Sequence, residues 1–119
     1  MVASDTAGIE ELPAEVAARA AAVFGLLASG TRLRLLWLLM QGESDVSALA
    51  AGAANAVSTV SENLAMLRSG GLVRSRREGR RVVYAVEGPA VAAVEAVVRG
   101  MVHRSGGAAG DTAAPGRDR

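Results

Sequence analysis

The sequence predicts a mainly α-helical fold with one small β-hairpin. Apolar residues recur at helical spacing in five segments. Between the fourth and the fifth segment, a Gly-Gly pair is followed by two alternating runs around a Glu-Gly pair. The chain has 119 residues, 50% of them apolar, which is enough for one domain with a buried core. Because it holds only one Phe, one Trp and one Tyr, that core must be built mainly from Ala, Val and Leu.

The first two predicted helices lie between Pro13 and Gln41. Residues 1–12 are small, polar and acidic and are expected to form a flexible arm, whereas Pro13 suits the first turn of a helix. The helix 13–28 then carries one apolar stripe, which consists of Val16, Ala20, Val23, Phe24 and Leu27. Ser29 is the expected N-cap of the next helix, 30–41. That helix has almost no polar face, so it should lie at the centre of the core.

Two further helices, 46–51 and 56–69, are predicted on either side of a short turn, with Asp45 and Asn55 as their caps. The longer helix has an apolar stripe made of Val57, Val60, Leu64 and Leu67. Its opposite face is small and polar, and consists of Ser58, Glu62, Ala65 and Ser69. Two helices joined by a tight turn are typical of a helix-turn-helix, in which the second helix enters the major groove of DNA.

The hairpin that follows these helices concentrates positive charge. Strands are predicted at 72–77 and 81–86 around a turn at Glu78-Gly79. All thirteen basic residues are Arg, and six of them lie between Arg68 and Arg81, although the net charge is only +1. A local basic patch beside such a helix is typical of a hairpin that contacts phosphates, and a solubilising run of charge is the alternative. The sequence therefore predicts a winged helix-turn-helix, with the hairpin as its wing.

The helix 56–69 and the hairpin together form a candidate DNA-binding surface. Its residues are Ser58, Thr59, Ser61, Glu62, Asn63, Arg68, Arg74, Arg76, Arg77, Arg80 and Arg81. For the helical members the alternative is an ordinary solvated face. Glu62 is the awkward member, because a carboxylate near phosphates is unfavourable. It could accept a hydrogen bond from a cytosine amino group, or it could hold a neighbouring arginine in place.

A last helix is predicted from Gly88-Pro89 to about His103, and residues 104–119 are expected to form a disordered tail because they are rich in Gly, Ala and Pro. Together with the first helix, the last helix is expected to form the interface of a symmetric homodimer. The expected interface residues are Val16, Ala20, Val23, Val91, Val94, Val98 and Met101. Such a dimer would place two DNA-reading helices roughly 34 Å apart, which is one turn of double-stranded DNA.

Three blocks of the sequence together resemble the ArsR/SmtB family of winged-helix regulators. They are SGTRLRLLWLL at the start of the second helix, STVSENLAMLRSGGLV and REGRRVVYAV, and the similarity extends over residues 16–103. The resemblance implies a dimeric bacterial repressor that occludes a promoter and usually responds to a metal ion; activation is the alternative. Gly30 stands where the family usually has proline, with the same role at the start of a helix.

The metal ligands that are usual in this family are replaced in this chain. The family's Cys-x-Cys pair falls on Asp45 and Ser47. The four positions of its other site, on the last helix, hold poor ligands for zinc, nickel or cobalt, namely Gly88, Ala90, Met101 and Arg104. Both familiar sites are therefore absent from the sequence.

His103 is the only imidazole and, with Glu95, the candidate metal ligand of this chain. Carboxylates from the first helix of a second copy, Glu10, Glu11 or Glu15, could complete the site. Mixed nitrogen and oxygen ligands favour nickel or cobalt. The lysine-free and cysteine-free composition is also similar to nickel-linked members of the family, so Ni(II) is the expected effector. The alternatives are a surface histidine and a dimeric module that is regulated by a co-encoded partner protein.

The composition also excludes several classes of protein. Without cysteine there are neither disulfides nor thiolate metal sites. One His, and no paired carboxylates near a Gly-rich loop, leave no general acid–base site, so an enzyme is not expected. The N-terminus has no apolar segment of a signal peptide, and the longest apolar run, 35–40, is too short to span a bilayer. The cytoplasm is therefore the expected location, with no membrane as partner.

Overall fold

The computed structural model describes residues 11–112, with side chains as far as residue 105. Most of the predicted N-terminal arm, including Glu10, and residues 113–119 of the predicted tail lie outside the described residues. The elements follow the chain in the order α1 (Ala14–Leu27), α2 (Gly30–Met40), β1 (Ser44–Asp45), α3 (Val46–Ala53), α4 (Val57–Ser69), β2 (Val73–Glu78), β3 (Arg81–Val86) and α5 (Pro89–Thr112). This order confirms the predicted mainly α-helical fold with a small β-hairpin.

The core is centred on α2, as its missing polar face predicts. Leu35, Leu36 and Leu39 of this helix are at most 2% exposed. They belong to one cluster with side chains of α3, α4 and the start of β2, including Leu49, Val60, Leu64, Leu67 and Val73. Val57, which was predicted in the stripe of α4, is instead 53% exposed, because it is the first residue of the helix and the stripe is buried only from Val60 onward.

α1 and α2 meet at a sharp bend of 88°. Ser29 caps α2 as predicted, since its side-chain oxygen accepts a hydrogen bond from the backbone nitrogen of Arg32 at 3.2 Å. Among the described residues, no single helix is long and apolar enough to cross a membrane, although this bent pair meets that criterion when taken together.

The sheet has three antiparallel strands in the order β1-β3-β2, of which only the hairpin was predicted. β1 pairs Ser44 with Tyr84 and Asp45 with Val83. A strand of two residues has no periodicity of its own, so its pairing cannot be read from the sequence. Glu78 pairs with Arg81, so the turn consists of Gly79-Arg80, and the predicted turn at Glu78-Gly79 is wrong by one residue. Gly79 has a positive φ of +64°, which suits the first position of a two-residue hairpin turn.

The turn between α3 and α4 also differs from its prediction. α3 continues through Gly52 to Ala53, and the side chain of Leu38 lies close above Gly52. Ala54 takes the left-handed conformation, and the backbone nitrogen of Asn55 donates to Ala50 O at 3.0 Å. Asn55 therefore closes α3 rather than capping α4. The N-cap of α4 is Ala56, which makes no side-chain hydrogen bond.

α5 is longer than predicted and lies partly in the core. It continues past His103 to Thr112, so residues 104–112 are helical rather than part of a disordered tail. Alanines and glycines alone did not end the helix, and the first proline after it is Pro115. Val91 is only 7% exposed and belongs to the core of the single chain, so its assignment to a dimer interface is not supported.

Candidate nucleic-acid interface

α4 presents an exposed outer face, which we define as Ser58, Glu62, Ala65 and Ser69. Its inner face is fixed by Val60, Leu64 and Leu67, all 0% exposed, which pack against α2 and α3. Ser61 is exposed and Thr59 is half-buried beside this face. The packing therefore presents small, mostly polar side chains outward, as predicted.

Asn63, a predicted DNA-contacting residue of α4, turns toward α2. Its Nδ2 donates to Thr59 O at 2.8 Å, and its Oδ1 accepts a hydrogen bond from Arg32 Nη1 at 3.1 Å. The side chain is half-buried and both ends of its amide are used. Helical spacing placed Asn63 beside the outer face but could not show that Arg32 of α2 approaches it. Asn63 is therefore better assigned to holding α4 than to contacting DNA.

Two wing arginines form ion pairs with three carboxylates. Arg76 lies 2.6 Å from Glu43 and 2.5 Å from Glu78, and Arg81 lies 3.1 Å from Asp45 and 3.7 Å from Glu78. In the sheet register Val83 is flanked by Asp45 on one side and Arg76 on the other. Val83 is only 3% exposed, so these ion pairs cover an apolar residue and join the wing to the start of α3.

The ion pairs also shift the pKa values of three of their members. The hydrogen bond from Arg76 lowers the pKa of Glu43 below its ordinary value of 4.5. The hydrogen bond from the backbone nitrogen of Ala48, followed by the charge of Arg81, lowers the pKa of Asp45 below 3.8. Glu43 and Glu78 together raise the pKa of Arg76 above its ordinary range. Glu43, Asp45 and Arg76 therefore keep their charges at neutral pH.

The other four arginines of the candidate DNA-binding surface form two pairs. Arg68 donates to Ser75 Oγ at 2.8 Å, and Arg74 donates to Val86 O at 3.1 Å, so both are held along the hairpin. Arg77 and Arg80 are exposed and make neither a hydrogen bond nor an ion pair with any described residue. Within the described part of the candidate DNA-binding surface, Arg77 and Arg80 are thus the guanidinium groups left open to an external anion.

The family's metal positions and the candidate ligands do not form a cluster in one chain. Both oxygens of Asp45 are used, Oδ1 by the backbone nitrogen of Ala48 at 2.9 Å and Oδ2 by Arg81. Glu95 is paired with Arg99 at 2.9 Å, and His103 is exposed. In the part of the chain whose side chains are described, no group of three or more His, Cys, Asp or Glu residues could hold a metal ion. The residues at the family's usual positions therefore do not fit a metal.

α1 and α5 leave an apolar groove of about 440 Å³ between them. It is lined by Val23, Phe24, Leu27, Leu33, Ala90, Ala93, Val94, Val97, Val98 and Met101. Four predicted interface residues, Val23, Val94, Val98 and Met101, line this groove. Val16 and Ala20 are half-buried on α1 outside it. The apolar stripe predicted for the first helix includes Phe24. Its side chain is 70% exposed in the single chain, which the stripe alone does not indicate.

Sequence reasoning missed the parts played by Arg32 and Glu43. Arg32 lies in the first turn of α2, where a positive charge is disfavoured by the helix dipole. An arginine at this unfavourable position indicates that its side chain has a partner elsewhere in the protein. Glu43 precedes the two-residue strand β1 and meets Arg76 only through the sheet. No local pattern could have indicated that contact.

The α3–α4 pair and the β2–β3 wing that follows it define a winged helix-turn-helix DNA-binding domain. Residues 29–75 match the family model described as bacterial regulatory protein, arsR family. The chain belongs to this ArsR family, and the relatives it matches are transcriptional regulators rather than enzymes, in agreement with the expectation from the sequence.

Individual relatives agree with this assignment. The HTH-type transcriptional regulator Rv0324 of Mycobacterium tuberculosis is 43% identical over 93 residues, 78% of this chain but only 41% of that protein. The homodimeric winged helix-turn-helix DNA-binding domain of Mb0332 from Mycobacterium bovis, a solution structure, is 40% identical with a TM-score of 0.70, over 83% of this chain and 92% of that one. The antimony-specific transcriptional repressor AntR is 26% identical with a TM-score of 0.73, over 82% and 88% of the two chains.

Proposed function

We propose that two copies of this chain bind an operator in double-stranded DNA as a symmetric dimer and repress transcription by occluding the promoter. One arrangement carries this proposal: the outer face of α4 is open beside a wing whose Arg77 and Arg80 have no protein partner among the described residues. A helix with small side chains can enter the major groove, and free guanidinium groups suit phosphates. The choice of repression over activation is supported by AntR, which is a transcriptional repressor.

In this complex, α4 supplies the base contacts and the wing supplies the positioning contacts. The hydroxyl groups of Ser58 and Ser61 can donate to or accept from base edges, and Glu62 can accept from a cytosine amino group. Among the described residues, no side-chain hydrogen bond or ion pair involves Ser58, Ser61 or Glu62. Arg68 bridges the end of α4 to β2 and contributes charge at the junction of helix and wing.

The second copy is proposed to cover the groove between α1 and α5. Phe24, Val97 and Met101 are each more than half exposed in the single chain, at 70%, 56% and 55%. A contiguous apolar surface of this kind is typical of an interface between protein chains. The homodimeric state of the Mb0332 domain supports the same assembly. Symmetry would then set the two α4 helices about one turn of DNA apart, roughly 34 Å.

The effector of this dimer is proposed to be a metal ion bound by ligands from both chains, with Ni(II) as the first candidate. His103 is exposed in the second half of α5, and Glu11 and Glu15 are exposed near the start of α1. A site that joins these residues across a dimer would combine one imidazole with carboxylates, a set that suits nickel or cobalt. Within one chain Glu95 is already paired with Arg99, so it is the weaker candidate.

The test is binding of the full chain to the DNA that precedes its gene, measured by fluorescence anisotropy. Unrelated DNA of the same length is the matched control, and each titration is repeated with Ni(II), Co(II) and Zn(II). We expect preference for the upstream DNA, a strong dependence on salt, and weaker binding in one of the three ions. A His103→Ala variant should bind the same DNA but no longer respond to the ion.

The outcomes separate the proposals. Equal affinity for both DNAs, or no binding, would contradict an operator-binding regulator and favour an interaction module. Specific binding that no ion alters would contradict the metal effector. In that case pull-down with a co-encoded protein would test the partner alternative.

A further inference from the structure

Arg32 holds three elements together through one side chain. It lies in the first turn of α2, and its guanidinium is half-buried. Nε donates to Leu26 O at 2.6 Å, and Nη1 lies 3.1 Å from Asn63 Oδ1 and 3.2 Å from Met66 Sδ. One planar group on α2 thus contacts the end of α1 and two positions of α4 that are one helical turn apart.

The contact with α1 satisfies a helix end. The last carbonyl groups of a helix lack partners within it, and α1 has no basic residue in its last turn. Arg32 supplies both the missing donor at Leu26 O and a positive charge at the negative end of the helix dipole. The end of α1 is therefore fixed to α2 by a charged hydrogen bond.

The contact with α4 adds a polar restraint to the apolar packing of that helix. Asn63 accepts from Arg32 at Oδ1 and donates from Nδ2 to Thr59 O, so its amide has one orientation that satisfies both bonds. Asn63 lies on the flank between the buried stripe and the outer face. The contact with Arg32 is thus made next to the outer face rather than within the buried stripe.

A second, apolar contact joins the same end of α1 to the end of α4. Leu26 lies directly over Gly70, where an added Cβ would be only 2.2 Å from Leu26 Cδ1. α1 also lines the apolar groove through Val23, Phe24 and Leu27. The helix that faces the groove is thus tied to α4 at its middle through Arg32 and at its end through Leu26.

We propose that Arg32 is a positioning residue for DNA recognition, which sets the orientation of α4 relative to α1 and so couples the groove to the outer face of α4. This inference rests on the proposed operator binding. Arg32 would not contact DNA itself. A lysine cannot replace it, because an ammonium group lacks the planar fork that reaches Leu26 O and Asn63 Oδ1 together.

The experiment compares Arg32→Lys with the matched control Arg34→Ala in the full chain. Arg34 is exposed on the same helix and has no partner among the described residues. For each variant, affinity is measured for the upstream DNA and for unrelated DNA, together with the thermal midpoint and the dimer dissociation constant. We expect Arg32→Lys to lose about tenfold in affinity for the upstream DNA alone, whereas Arg34→Ala keeps the wild-type ratio of specific to non-specific affinity.

Asn63→Ala keeps the proposal testable if Arg32 variants fold poorly. It should lower the same ratio, and the Arg32→Lys/Asn63→Ala double variant should lose less than the sum of the two single losses, because each change breaks the contact between Arg32 and Asn63. Additive losses would show that Asn63 acts independently of Arg32 and would overturn the proposal. An unchanged ratio in Arg32→Lys would also overturn it while leaving operator binding intact. Absence of specific binding by the wild-type chain would instead mean that the proposed function has failed.

Discussion

Arg81 Nε lies 3.1 Å from Asp45 Oδ2, and this ion pair joins the wing to the N-cap of α3. The other oxygen of Asp45 caps that helix through the backbone nitrogen of Ala48. Arg76 makes the corresponding contact with Glu43, one residue before β1. The arginines of the wing therefore fall into two groups. Arg76 and Arg81 hold the wing in place, whereas Arg77 and Arg80 have no partner among the described residues.

The division of tasks predicts different salt dependences for two pairs of arginines. Arg77→Ala with Arg80→Ala should reduce the slope of log affinity against log salt by about two units for each wing that contacts DNA. Arg76→Ala with Arg81→Ala removes the same charge but breaks ion pairs within the protein. It should change the slope less and lower the thermal midpoint more. Equal slopes for the two double variants, measured by anisotropy at several salt concentrations, would contradict this division.

The same ion pairs predict a loss of stability in acid. The pKa values of Glu43 and Asp45 lie below their ordinary values of 4.5 and 3.8, because both carboxylates accept hydrogen bonds in the folded state. Their contribution is therefore present above those ordinary values and disappears as the pH falls through the lowered pKa values. Urea unfolding between about pH 6 and pH 3 should show this fall, and it should be smaller in Glu43→Gln. Parallel curves for the variant and the wild type would mean that Glu43 adds no stability.

Two apolar residues of α4 should differ in how much they stabilise the packing of this helix against the core. Leu64 is 0% exposed and Val57 is 53% exposed. Leu64→Ala should lower the free energy of unfolding by about 2–5 kcal/mol because it leaves a cavity in the core. Val57→Ala should change it by less than about 0.5 kcal/mol. Chemical denaturation measures both, and similar losses would contradict the orientation of α4.

The groove between α1 and α5 predicts which residues control dimerisation. Val97 and Val102 are similarly exposed on α5, at 56% and 60%, but only Val97 lines the groove. Val97→Asp should place a charge in the interface and shift the chain to monomers, whereas Val102→Asp should leave the dimer intact. Sedimentation equilibrium distinguishes the two. A dimer that survives Val97→Asp would show that α1 and α5 pair through another face.

Most of the fold could be predicted because helix periodicity and turn residues are local properties. The caps Ser29 and Asp45, the central place of α2 and the outer face of α4 all follow from such local patterns. Periodicity shows that a face is apolar but does not identify what covers it. Val91 was therefore predicted at an interface although it lies in the core of one chain.

The parts that could not be predicted depend on contacts between distant residues. β1 exists only because it pairs with β3, nearly forty residues later in the chain. Asn63 differs from Ser58 and Glu62 only because Arg32 reaches it from α2. The separation of the wing arginines into held and free side chains likewise depends on Glu43 and Asp45, which precede the hairpin by some thirty residues.

The most direct test of the account is selection of preferred sequences from a random DNA library by the wild-type chain and by Glu62→Gln. If the outer face of α4 contacts base edges, the wild type should enrich a palindrome with half-sites about one helical turn apart. Glu62→Gln should then change the preferred base at the same position in each half-site, because an amide can donate where a carboxylate only accepts. Identical enriched sequences for the two proteins, or no enriched sequence at all, would contradict DNA reading by α4.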